Sequence, residues 1–145
     1  VIKSGFIQFH TKKLAYYVTL ADGFRYIYLP SVKVLSCGEG RMLTEFQVGP
    51  EHLNQRGTLH GGFIAHLVDA ISTYALTSND KVETRGMSID LSVSYFSAAK
   101  EGDNIEVEAI TKKAGKKIAF LEVEVRNKDK NRVLAVGRHT KYLGI

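Results

Sequence analysis

Eighteen residues, 60–77, place Phe63, Ile64, Leu67, Val68, Ile71, Tyr74, Ala75 and Leu76 at spacings of three and four, with small Ala and Gly between them. That period predicts an α-helix. Its apolar positions run round so much of the circumference that almost every side must be buried. Gly61-Gly62 mark its start and the Ser78-Asn79-Asp80 cluster its end. Such a helix cannot lie on a surface; it needs a cover that wraps it.

The rest of the chain supplies that cover. Met42, Phe46 and Val48 share one parity, with Thr44 breaking the set and Pro50 stopping it, so 42–48 reads as a half-buried strand. After the helix, 87–96 alternates Ile89, Leu91, Val93 and Tyr95 against Ser88, Asp90, Ser92 and Ser94, the period of a strand with one buried face. Strands are expected again at 105–110, 118–125 and 133–143. A hairpin turn at Lys113-Ala114-Gly115-Lys116, with Gly115 at positive φ, separates the first two, and a polar turn over 127–131 precedes the last. The order is strand, buried helix, antiparallel meander: an α+β class in which one sheet wraps one helix. Residues 1–30 show no sustained period, although Asp22-Gly23 looks like a turn.

Asp69 sits inside this helix between Leu67-Val68 and Ala70-Ile71. A carboxylate cannot be buried alone, so it is paired, protonated or facing a cleft. In a cleft it is a candidate base; the plain structural alternative is a carboxylate satisfied by a backbone or arginine partner. Gly61-Gly62 at the helix start leave backbone N–H groups aimed outward, where the helix dipole favours negative charge, as in an oxyanion hole, or else they merely allow close packing. Gly61 and Asp69 are separated by about 12 Å along a helix, too far to act on one carbonyl carbon. If both serve one site, the second comes from another subunit, so the active protein is expected to be at least a dimer.

Composition narrows the setting. With 145 residues, 44% hydrophobic and 24% charged, the chain fits one globular domain. The single cysteine, Cys37, makes no intrachain disulfide and points to a reducing compartment, the cytoplasm or an organelle matrix such as the mitochondrial one. No apolar run approaches the roughly 20 residues of a membrane span. A net charge of +5 and a pI near 9.3 favour anionic partners such as phosphates, nucleotides or nucleic acid.

The stretch from Asn54 to Thr77, with Leu59-His60-Gly61-Gly62 and Asp69, the run Gly86-Met87-Ser88-Ile89-Asp90 and the ending Gly137 to Gly144 together resemble the hotdog-fold acyl-CoA thioesterases of the PaaI-like group. The likeness spans residues 32–145 and leaves 1–31 as a poorly matched N-terminal segment. It implies hydrolysis of medium- to long-chain fatty acyl-CoA at a subunit interface, without metal or cofactor, by a homo-oligomer that the family suggests is a tetramer. By motif, the Gly61 N–H and the Asn54 side chain would polarise the thioester carbonyl, while Asp69 and Ser88 of the partner subunit activate and orient the water. Coenzyme A would lie along Tyr95, Phe96, Ser97, Ala98, Ala99 and Lys100, and along Lys113, Ala114, Gly115, Lys116, Lys117 and Ile118. The lysines would face its phosphates, or else are simply solvated. Ala98 stands where a family relative has proline, and Tyr142 where it has histidine.

Rival readings rest on fewer residues. His60, His66 and Asp69 could suggest a hotdog dehydratase, but no proline-framed histidine motif accompanies them. His66 and Asp69, spaced i, i+3, could hold a metal, yet two ligands make no site. Cys37 has no recognisable catalytic partner. An acyl-CoA or lipid-binding module without turnover is the non-enzymatic alternative, against which Asn54, Asp69 and Ser88 count. A nucleic-acid binder has only charge in its favour.

Overall fold

The computed structural model of the chain describes residues 31–144, so the turn expected at Asp22-Gly23 lies outside the described residues. The elements in order are β1 (Lys33–Gly38), β2 (Arg41–Gln47), a single 3-10 turn (Pro50–His52), α1 (Gly61–Thr77), β3 (Met87–Tyr95), β4 (Asn104–Ala114), β5 (Ile118–Asn127) and β6 (Arg132–Tyr142). The six strands form one sheet in the order β1-β2-β4-β5-β6-β3, antiparallel at every pairing. The helix packs on one face of it.

Thr44 does not break the inward set of β2. It is fully buried with Met42 and Phe46, and its hydroxyl donates to the Val107 carbonyl at 3.3 Å, which removes the cost of burying it. Three expectations need correction. Besides the expected strands there is β1, a short edge strand paired with β2. β4 runs on to Ala114, and Gly115 is not among the residues at positive φ; the hairpin is closed instead by Gly115 N–H donating to the Ile118 carbonyl at 2.9 Å. The last four strands are not a simple meander, because β3 pairs with β6 rather than β4. Between β2 and β3 the chain runs the length of α1 and arrives at the far edge of the sheet, leaving β4 free to pair with β2.

Close approach of helix and sheet fixes that arrangement. At Gly137 of β6 an added Cβ would sit 2.4 Å from Val68 Cγ1, so only glycine lets α1 settle at that depth. Leu67, Val68, Ile71, Ala75 and Leu76 lose all solvent exposure, a burial that stabilises by roughly 1.5–3 kcal/mol for each of the larger side chains. Gly86, at φ +62°, turns the chain into β3; a Cβ there would meet the Tyr142 carbonyl oxygen at 2.6 Å.

The expectation of a helix covered on nearly all sides holds only in part within one chain. Gly62 and Asp69 are exposed, His66 and Thr73 half-buried, and these four mark one stripe of α1 turned away from the core. Edge strand β3 is similarly open, with Met87 and Ile89 each 56% exposed and Tyr95 51%. A strand patterned for burial stays exposed here, leaving apolar side chains open at a sheet edge.

Candidate functional site

Asp69 emerges from the open stripe of α1 with its side chain 52% exposed. It is therefore not a carboxylate hidden in the core, and within a single chain it keeps contact with solvent. It does face a cleft, of about 380 Å³, which it lines with His66, Thr73, Tyr74, Arg85, Ser88 and Lys141.

Ser88 reaches this cleft because of a defect in the sheet. The pairing of β3 with β6 runs Leu91↔His139 and Val93↔Gly137, but slips between Ser88 and Asp90, so that Ser88 stands opposite Lys141. The unpaired residue at the bulge is Ile89, and the extra residue puts Ser88 on the same sheet face as Leu91 and Val93. Uninterrupted alternation would have sent it to the other face with Asp90 and Ser92.

Two ionisable residues of β6, neither among the expected site residues, lie beneath Asp69. His139 is buried. Its Nδ1 lies 2.8 Å from Ser72 Oγ, its Nε2 2.8 Å from Ser88 Oγ and 3.8 Å from Asp69 Oδ1. Burial, with help from the Lys141 charge and against Asp69 and Asp90, holds its pKa below the ordinary 6.5, so the ring is neutral at physiological pH. Lys141 is also buried and donates to Thr73 Oγ1 at 2.8 Å; Thr73 in turn donates to the Asp69 carbonyl at 2.8 Å. Burial first, and Arg85 in addition, pull the Lys141 pKa down, while Asp69 pushes it up. Strand parity carried the signal for both: His139 and Lys141 share their parity with Gly137 and Ala135 on the helix-facing side of β6.

The other half of the expected site lies at the helix start. Gly61 and Gly62 do not present a pair of free amides. The His60 ring caps the helix by accepting from Gly62 N–H at 2.8 Å, which leaves the Gly61 N–H as the amide there without a partner among the described residues. Tyr95 donates its hydroxyl to the Gly61 carbonyl at 2.8 Å. Asn54 lies in a second open cleft of about 430 Å³ with Leu53, Arg56 and His60. Its Oδ1 accepts from Arg56 N–H at 2.9 Å, and its Nδ2 donates to Thr58 Oγ1 at 3.0 Å. An amide nitrogen has two hydrogens, so one stays available. Within one chain, then, Asp69 and Ser88 share one cleft, and Asn54 lies in another next to the Gly61 end of α1.

Of the residues expected along coenzyme A, Tyr95, Phe96, Ala98, Lys100, Lys113, Gly115, Lys116 and Lys117 are exposed, while Ser97, Ala114 and Ile118 are half-buried. Ala99 departs from the set. It is buried in the core cluster, and its carbonyl accepts from Leu59 N–H at 2.9 Å. His66 Nε2 is buried without a hydrogen-bond partner among the described residues, and no cluster of three or more His, Cys, Asp or Glu suited to a metal occurs among them. Cys37 is buried, and that burial pushes its thiol up to about 11, which makes it a poor nucleophile. No helix among the described residues is long and apolar enough to cross a membrane.

Comparison with known proteins gives this geometry its family. The thioesterase superfamily model matches residues 56–134. The human protein named acyl-coenzyme A thioesterase 13 is 41% identical over 127 residues, covering 88% of this chain and 89% of its own length. The crystal structure of zebra fish thioesterase superfamily member 2 superposes with a TM-score of 0.82 at 38% identity, over 96% of this chain and all of that one. A hypothetical thioesterase protein from Streptococcus pneumoniae, solved with coenzyme A, shares the fold at a TM-score of 0.76 and 20% identity, over 84% of this chain and 94% of its own. The chain belongs to the thioesterase superfamily, has its hotdog fold and is a thioesterase.

Proposed function

We propose that the protein hydrolyses medium- to long-chain fatty acyl-CoA to free fatty acid and coenzyme A, with residues 32–145 as its catalytic domain. The observation that carries this reading is the convergence of Asp69 and Ser88 on one cleft, with an unpartnered amide at Gly61 on the same helix. The names of its relatives supply the substrate class: the human and mouse relatives are acyl-coenzyme A thioesterases.

In the proposed reaction, the Gly61 N–H and the remaining Asn54 Nδ2 hydrogen of one subunit point at the thioester oxygen. Asp69 of the partner subunit takes a proton as a water oxygen bonds to the carbonyl carbon, and Ser88 beside it orients that water. The two donors stabilise the oxyanion of the tetrahedral intermediate. Its collapse breaks the C–S bond, and the coenzyme A thiolate leaves with the proton that Asp69 took, which restores the carboxylate. The two-subunit arrangement follows from the separation of Gly61 and Asp69 along α1, about 12 Å, and the open β3 edge offers the surface on which a second copy would pair. A tetramer would be two such dimers. Lysines of the β4–β5 turn, Lys113, Lys116 and Lys117, supply positive charge for the nucleotide phosphates.

Thiol release from acyl-CoAs of graded chain length, by wild type and Asp69→Ala, tests the reading. Turnover is expected on medium and long chains, lost by orders of magnitude in the variant while acyl-CoA still binds. Unchanged turnover in the variant contradicts the role of Asp69, and binding without turnover in wild type makes the protein a carrier module instead.

A further inference from the structure

We infer that His139 is a positioning residue that acts through Ser88: the buried imidazole, fixed from behind by Ser72, sets the direction of the Ser88 hydroxyl beside Asp69. The inference rests on the reading of Ser88 given above as the group that orients the attacking water.

The geometry is a chain of short contacts across three elements. Ser72 on α1 and Ser88 on β3 bracket the ring of His139 on β6, each hydroxyl 2.8 Å from one ring nitrogen. The same Nε2 that meets Ser88 lies 3.8 Å from Asp69 Oδ1. A neutral imidazole has one N–H and one acceptor nitrogen, so its two serine partners play opposite parts. The Ser72 hydroxyl donates to the Asp69 carbonyl at 3.1 Å. Assigned from that bond, the ring proton sits on Nδ1 and is donated to Ser72, and Nε2 accepts from Ser88.

That polarity has a consequence for the water. With its own hydrogen turned toward His139, Ser88 Oγ presents lone pairs to the cleft and can only accept. A water between Ser88 and Asp69 then gives one hydrogen to each and directs its own lone pair outward, at the carbonyl carbon. Without His139 the hydroxyl would rotate freely and could offer its hydrogen to Asp69 instead, capping the base. Burial supports the assignment, because a ring with no access to solvent holds one tautomer and does not exchange partners with water. Two features of the sequence build the device: the parity that turns His139 inward, and the bulge at Ile89 that brings Ser88 to the same face.

A double-mutant cycle on the intact protein, read as kcat and KM for hydrolysis of one acyl-CoA substrate, tests it. Ser88→Ala and His139→Ala are each expected to lower kcat by about tenfold with KM nearly unchanged, and the double variant to be no slower than Ser88→Ala alone, since a residue acting through another loses its effect when that other is absent. His139→Gln, whose amide reaches the place of Nε2, is expected to recover most of the kcat lost in His139→Ala. Multiplying factors in the double variant, or a glutamine variant as slow as the alanine one while equally well folded by circular dichroism, overturn the inference and make His139 a packing residue. If Ser88→Ala alone leaves kcat unchanged, the reading of Ser88 itself falls, and the inference with it.

Discussion

Along the side of α1 that lies on the sheet, Leu67, Val68, Ile71 and Ala75 are sealed from solvent; along the opposite side Gly62, His66, Asp69 and Thr73 remain open or half-open. The two stripes belong to one helix and are held to different standards. The sheet side is a matter of shape: apolar volume against apolar volume, with a glycine at 137 to let the helix down. The open side is polar and chemically specific, and its polar groups are tied to the sheet by hydrogen bonds at its base, from His139 to Ser72 and from Lys141 to Thr73. Substitutions on the first should change whether the protein folds, and those on the second what it does.

The largest expected effect is on the open stripe. Asp69→Asn should lower thiol release from acyl-CoA by about 10²–10⁴-fold, the usual worth of a positioned base. Its unfolding free energy should stay within about 0.5 kcal/mol of wild type, as for other exposed sites. On the sheet side, Leu67→Ala should cost about 2–5 kcal/mol in urea unfolding and leave kcat per folded molecule close to wild type. A change of stability in the first or of chemistry in the second would erase the distinction between the stripes. Next in size, Ile89→Lys on the open β3 edge should shift the mass in analytical ultracentrifugation toward a single chain and reduce turnover with it, because the residue is already half-exposed and its loss costs the chain itself little.

The smallest effect concerns the polar base of the open stripe. The folded-state pKa of His139 is depressed below its ordinary 6.5, so below that pH the unfolded chain binds the extra proton and the folded one resists it. Stability should be complete above pH 6.5 and fall as the pH drops toward and through the folded pKa. Melting temperatures from pH 7 down to pH 5 should show this as a loss of a few degrees, reduced in His139→Gln. An equal loss in that variant would assign the pH dependence to other groups.

Much of this was legible in the chain. The helix stands at Gly61–Thr77, almost where its period put it, and the strands expected at 42–48, 87–96, 105–110, 118–125 and 133–143 fall on β2 to β6. Periodicity reports which face a residue takes, however, and not which strand lies beside it, so the pairing of β3 with β6 could not be read. A bulge reverses parity with no signature of its own, which is why the pattern placed Ser88 on the wrong face for the role that family resemblance assigned it. His139 and Lys141 were hidden for another reason: inward polar residues look like interruptions in an apolar pattern until the group they serve is known to lie across from them. Asp69 was found by the same logic in reverse, as a charge out of place, although within one chain it is half-exposed.

The central claim is that one site is built from two chains, with Asn54 and Gly61 from one and Asp69 and Ser88 from the other. The direct measurement is complementation. Asn54→Ala and Asp69→Asn, each inactive alone, are unfolded together, refolded as a mixture and assayed for thiol release. In a mixed dimer one of the two sites combines both intact halves, so the account predicts recovery to about a quarter of wild-type activity at equal mixing. A mixture that forms hybrid dimers and stays as inactive as its parents would contradict it, and would place the whole site within a single chain.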